Sequence, residues 1–142
     1  MVSRTVPSKK RKNMNNLYIP ASVSSPEVDF RFDEHRLLLK GEAYPENAAV
    51  FWGDIITAMN NYLGQVESGQ RITVQVALSY FNSSSTKMLF SLFSALNDKA
   101  LAGNTVVLDW YHDEEDDTIF EFGQELQEDF PELTFNDHAV RT

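Results

Sequence analysis

Four hydroxyl side chains stand in a row at Ser83-Ser84-Ser85-Thr86, between Tyr80-Phe81-Asn82 and Lys87. Such a cluster can be phosphorylated, and a phosphate adds about −1.5 to −2 charges and three acceptor oxygens. A plainer role also fits, because Ser and Asn are favoured helix caps. The second group is acidic: Asp113-Glu114-Glu115-Asp116-Asp117, with His112 beside it. It invites a metal-dependent hydrolase built on His112, Asp113 and Asp116. The spacing is not that of a calcium loop, which needs alternate oxygen ligands, a turn glycine and a distal glutamate. Acids ahead of a helix account for the run equally well, since they complement its dipole and cap free N–H groups.

Other chemistry has no signature. His35, His112 and His138 are widely separated, whereas a hydrolytic triad needs three groups in mutual reach. No serine sits in a Gly-x-Ser-x-Gly elbow. The six glycines are scattered and form no phosphate-binding loop. There is no cysteine, hence no thiolate and no disulfide. No catalytic residue, metal or cofactor is therefore predicted.

The elements that must position these groups follow from hydrophobic periodicity. Leu17-Tyr18-Ile19 reads as a short edge strand ended by Pro20. Val28 to Phe32 alternates apolar and charged residues, and Leu37 to Gly41 is its hairpin partner across Asp33-Glu34-His35. A helix opens at Tyr44-Pro45-Glu46-Asn47, with proline in its first turn. Phe51, Ile55, Met59, Tyr62 and Leu63 form its apolar face. Ile72, Val74, Val76, Leu78 and Tyr80 alternate with smaller or polar residues, the strongest strand signal in the chain. A second helix runs from about Ser84 to Ala102 on Leu89, Leu92, Phe93, Leu96 and Ala100. Val106 to Trp110 is the next strand, and strand-helix-strand implies a right-handed parallel crossover. Ile119, Phe122, Gly123, Leu126 and Phe130 define a third helix stopped by Pro131. Leu133-Thr134-Phe135 closes the chain with a short strand. The fold class is thus α/β: a mixed β-sheet with an N-terminal hairpin, a β-α-β crossover and about three helices.

Charge divides the chain. Its 142 residues hold 12 bases and 21 acids, a net charge of −9. Arg4, Lys9, Lys10, Arg11 and Lys12 all precede Met14, which leaves seven bases against 21 acids from there on, a balance of −14. Residues 1–13 read as a disordered basic tail, and Met14 as the native start. A nuclear-localisation or nucleic-acid arm is the competing reading of Lys9 to Lys12. The acidic domain, residues 14–142, repels nucleic acid and anionic membrane. No apolar run approaches the ~18 residues of a membrane span, and a secretory signal is missing. A cytoplasmic protein without membrane insertion is expected.

Three blocks carry a family resemblance: Gly41 to Asn47, Leu78 to Lys87, and Trp110-Tyr111-His112-Asp113. Their order and separation resemble the SiaC family of bacterial regulatory phosphoproteins, over about Met14 to Phe135. The resemblance implies a STAS-like domain, related to anti-sigma-factor antagonists, and a partner-switching role rather than an enzyme. It implies phosphorylation by a Ser/Thr kinase and dephosphorylation by a PP2C-type phosphatase. It further implies that the unphosphorylated form binds and stimulates a GGDEF diguanylate cyclase, raising cyclic di-GMP and favouring biofilm. The modified hydroxyl follows the strand-end asparagine, which is Ser83 here, where the family's familiar residue is threonine. Ser84, Ser85 and Thr86 are the alternative targets. Tyr44, Pro45, Glu46, Asn47, Tyr80, Asn82, Ser84 and Lys87 are the expected partner surface. Two other functions compete: an anti-sigma-factor antagonist with a different client, and the metal-dependent hydrolase.

Overall fold

The computed structural model describes residues 15–141. The expected basic tail and Met14 lie outside the described residues. Six strands form one sheet in the order β1-β2-β3-β4-β5-β6. They are β1 (Leu17–Ile19), β2 (Glu27–Arg31), β3 (Arg36–Ala43), β4 (Arg71–Phe81), β5 (Thr105–Asp113) and β6 (Thr134–Val140). The first three pair antiparallel, and β3 to β6 run parallel. Three helices connect the parallel strands: α1 (Ala48–Gln65), α2 (Ser83–Leu101) and α3 (Asp117–Asp129). Consecutive strand order with right-handed crossovers puts all three on one face of the sheet.

The core lies between that face and the helices. Leu37, Leu39, Ile72, Val74, Val76, Leu78, Val106, Leu108 and Trp110 are buried there, at alternate strand positions. The opposite face carries Thr73, Gln75, Ala77, Asp109 and Tyr111, all half-buried. The apolar stripe of α1 carries Ile55, Met59, Tyr62 and Leu63 as expected, and differs only at its first position. Trp52 is fully buried, while Phe51 is half-buried and packs edge-on against it at 5.2 Å. Positions 48, 52, 55, 59, 62 and 63 are the buried set of the helix, and they follow the helical period.

Pro45 is not in the helix. Asn47 is the N-cap of α1, and its side chain accepts from the Val50 N–H at 3.2 Å. Pro45 is buried two residues earlier. The residue before a proline is biased to extended backbone, so Tyr44 continues the exit from β3. The last strand is also longer than expected. It continues through Asn136-Asp137-His138 to Val140, in register with β5 from Val107 to Asp113.

A bulge lies between β3 and β4. Gly41 pairs with Leu78 and Glu42 with Tyr80, so Ser79 is the extra residue. Gly41 has φ +124°, and a Cβ there would meet the Pro26 backbone at 3.4 Å, which explains the glycine. The bulge flips the facing of every residue after it. Phe81 therefore turns under the helices, 4.7 Å from Phe122, and Tyr80 turns outward, 49% exposed. Strict alternation would place Tyr80 with the core, and the extra residue is why it is not there.

Candidate functional site

The carboxyl ends of β3 and β4 and the amino ends of α1 and α2 converge on one corner. Open α/β sheets commonly bind at this end of their strands. The Asn82 N–H donates to the Ala43 carbonyl at 3.0 Å, which ties the β4–α2 junction to the end of β3. Asn82 also caps α2, its side chain accepting from the Ser85 N–H at 2.9 Å. Ser83 and Ser84 are the first two helical residues, and both are exposed. Their N–H groups belong to the open end of the helix, where no intrahelical partner exists.

The four hydroxyls are not equivalent. Ser85 has no exposed surface, and its Oγ accepts from Trp52 Nε1 at 3.0 Å. This bond joins α1 to α2 within the core and fixes where α2 begins. The Thr86 hydroxyl donates back to the Asn82 carbonyl at 3.1 Å and is half-buried. Only Ser83 and Ser84 of the four present their side chains to solvent.

Two tyrosines lie at the strand ends that lead into this junction, Tyr44 after β3 and Tyr80 in β4. The Tyr44 and Tyr80 rings meet edge-on at 5.8 Å. The Tyr44 N–H donates to the Ser24 carbonyl at 2.7 Å, which brings in the β1–β2 loop. That loop carries Val23, 85% exposed, and the first turn of α1 carries Val50, 64% exposed. Val23 and Val50 are thus exposed apolar residues on two segments that adjoin Tyr44 in the chain or through this bond. Glu46, Asn47 and Lys87 are exposed, whereas Pro45 is buried. Lys87 lies one helical turn beyond Ser83 on α2. Sequence periodicity could not find Val23, a single apolar residue between serines, or Val50, which sits in the apolar run Ala48 to Trp52 and reads as part of the core. The Trp52–Ser85 bond joins residues 33 positions apart and has no sequence signature.

The acidic run does not form a metal site. Asp116 is the N-cap of α3, accepting from the Ile119 N–H at 3.0 Å, and Asp113 accepts from the Glu115 N–H at 2.8 Å. His112 directs Nε2 to Asp137 and Nδ1 to the Asp113 carbonyl. Among the described residues no group of three His, Asp or Glu side chains is placed to hold a metal. His35 bonds the Tyr62 hydroxyl and His138 bonds Asp109, so the three histidines do not meet. A cleft of about 420 Å³ opens where β4 and β5 part beyond Val76 and Trp110, with Lys40, Leu78, His112 and Val140 in its walls. No helix among the described residues is long and apolar enough to cross a membrane.

Comparison with known proteins agrees with this architecture. Residues 19–140 match the SiaC family of regulatory phosphoproteins. An uncharacterized protein of Pseudomonas aeruginosa strain UCBPP-PA14 is 30% identical over 117 residues, which cover 82% of this chain and 90% of that one. The crystal structure of apo-SiaC from P. aeruginosa superposes with a TM-score of 0.79 at 26% identity, covering 88% of this chain and 99% of the other. A chain from the structure of the diguanylate cyclase SiaD in complex with its activator SiaC, also from P. aeruginosa, gives 0.80 at 27% identity, covering 87% and 99%. With the family matched across nearly all of the described residues and the fold shared with solved members, this chain belongs to the SiaC family of regulatory phosphoproteins.

Proposed function

We propose that this protein is a non-enzymatic switch, acting in the bacterial cytoplasm, whose Ser83 hydroxyl is phosphorylated to control binding of a diguanylate cyclase. The observation that carries the reading is Ser83 itself. It is the exposed first residue of α2, three residues after the exposed Tyr80, whose ring meets that of Tyr44. The related SiaC is the activator of the cyclase SiaD, which supports the choice of client. Ser85 is disfavoured as a target because modification would break its bond to Trp52 and force charge into the core. Ser84 shares the exposure of Ser83, and family resemblance selects Ser83.

The unphosphorylated corner offers the client the exposed Tyr80 ring and the hydroxyls of Ser83 and Ser84. A phosphate on Ser83 sits at the positive end of α2, where two N–H groups and the dipole hold it locally. Lys87 is the cation nearest to it along the helix, and the domain is otherwise acidic. The added charge therefore stays largely uncompensated. It forces a docking partner to desolvate an anion, and it repels any carboxylate brought against it. A dedicated Ser/Thr kinase would set the phosphorylated state and a PP2C-type phosphatase would reverse it. The working unit is the acidic domain from residue 14 onward.

Phosphosite mapping by mass spectrometry after co-expression with the cognate kinase tests the assignment. A single phosphate on Ser83, lost in Ser83→Ala, is expected. Stoichiometric phosphorylation of Ser83→Ala would overturn it.

A further inference from the structure

β6 is an edge strand, and most of its side chains are exposed. Two His–Asp pairs clamp it to β5, one on each face of the sheet. On the open face His138 Nε2 meets Asp109 Oδ1 at 3.0 Å, and the His138 ring stacks on Tyr111 at 4.5 Å. On the helix face His112 Nε2 lies 3.0 Å from both carboxylate oxygens of Asp137. The His112 Nδ1 lies 2.9 Å from the Asp113 carbonyl oxygen. The His138 side chain is 40% exposed and that of His112 only 4%.

The His112 geometry has a chemical consequence. Both of its ring nitrogens face oxygens that can only accept. A neutral imidazole carries one N–H and can satisfy one of them, whereas the imidazolium donates to both. The neutral form would leave a lone pair of the buried ring pointed at an acceptor. Of the other groups near the ring, Asp116 from the turn before α3 acts in the same sense, the Phe120 ring from α3 lies at 5.4 Å, and Lys40 across the cleft is the opposing charge.

We propose that His112 is a proton-dependent latch on β6: its imidazolium joins Asp137 to the Asp113 carbonyl, and its deprotonation frees the end of the strand. The proton leaves to water, and one of the two hydrogen bonds leaves with it. The segment released is Asp137 to Val140. Its far end is tied to the rest of the domain by the Glu114 N–H to the Val140 carbonyl at 2.8 Å, and by Arg141 to Glu114 at 3.2 Å. Val140 also walls the cleft, so the latched strand borders it. Burial by itself disfavours the charged ring. The hydrogen bonds to Asp137 and Asp113 and the charges of Asp137 and Asp116 outweigh burial and hold its proton affinity above the ordinary imidazole range. The stabilisation is thus complete below about pH 6.5, the unfolded value. It is lost as pH rises through the higher folded value.

Long-range ¹H–¹⁵N spectra of the intact chain read the ring directly. Both His112 nitrogens are expected to carry protons at pH 6.5, with loss of one at a higher pH. Amide exchange, corrected for its intrinsic pH dependence, should show Asp137 to Val140 losing about tenfold in protection relative to β3 through the same titration, the loss of about 1.4 kcal/mol of latch. Asp137→Asn removes the charge and keeps the shape, and it should move the transition to lower pH. A single neutral tautomer at pH 6.5 in the folded wild type would overturn the proposal. So would β6 protection that follows the same pH course in wild type and Asp137→Asn.

Discussion

Replacing Ser85 by alanine separates the structural hydroxyl from the signalling one. Ser85 Oγ is the acceptor for Trp52 Nε1, and both residues are completely buried. Ser85→Ala leaves the indole N–H without a partner where water does not reach, at a cost of about 1–3 kcal/mol. Alanine returns up to about 0.5 kcal/mol as the better helix former. The net loss is then about 0.5–3 kcal/mol, or roughly 2–12 °C in Tm for a domain of this size. Ser83→Ala, two residues away and exposed, should stay within about 0.5 kcal/mol of wild type. Urea unfolding followed by tryptophan fluorescence suits the test, because Trp52 and Trp110 are both fully buried and report loss of the core. Equal stability of Ser85→Ala and Ser83→Ala would refute the claim that Ser85 binds α1 to α2.

Two helical glycines should respond oppositely. A Cβ at Gly123 would stand 2.7 Å from the buried Trp110 indole, whereas one at Gly64 meets nothing within 4 Å. Gly123→Ala should cost about 1–3 kcal/mol by overpacking, while Gly64→Ala should gain up to about 1 kcal/mol; thermal melts of the pair check the contrast. Asp116→Ala removes the side-chain cap of α3 and should cost about 1 kcal/mol, read as a lower urea midpoint. Alkaline titration should loosen β6 before the rest of the sheet, read by amide exchange.

Where side-chain pattern and backbone period agree, the chain states its own fold. β2, β3 and the first part of β4 alternate cleanly, and each appears with its expected partner. The three helices follow from their apolar stripes, including the stop at Pro131. The failures have local physical causes. β6 was read only to Phe135 because Asn136, Asp137 and His138 look like a loop. They hold a strand through polar bonds to Asp109 and His112 in the neighbouring one. Alternation alone would turn Tyr80 inward, because it has no memory of a bulge, and the bulge depends on Gly41 and Pro26 coming together. Pro45 was placed in a helix because Pro at a first turn is common, yet the cap is Asn47. The hydroxyl cluster was legible as a group. Its division into exposed Ser83 and Ser84, buried Ser85 and back-bonded Thr86 depends on Trp52, a tertiary contact.

The central claim is that one phosphate at Ser83 decides whether the client binds. Calorimetric titration of a diguanylate cyclase with the unphosphorylated chain, and with chain phosphorylated at Ser83 alone, tests it most directly. The account predicts tight binding by the first and at least about a tenfold weaker Kd for the second, a difference of about 1.4 kcal/mol or more. Equal affinity of the two forms would contradict it.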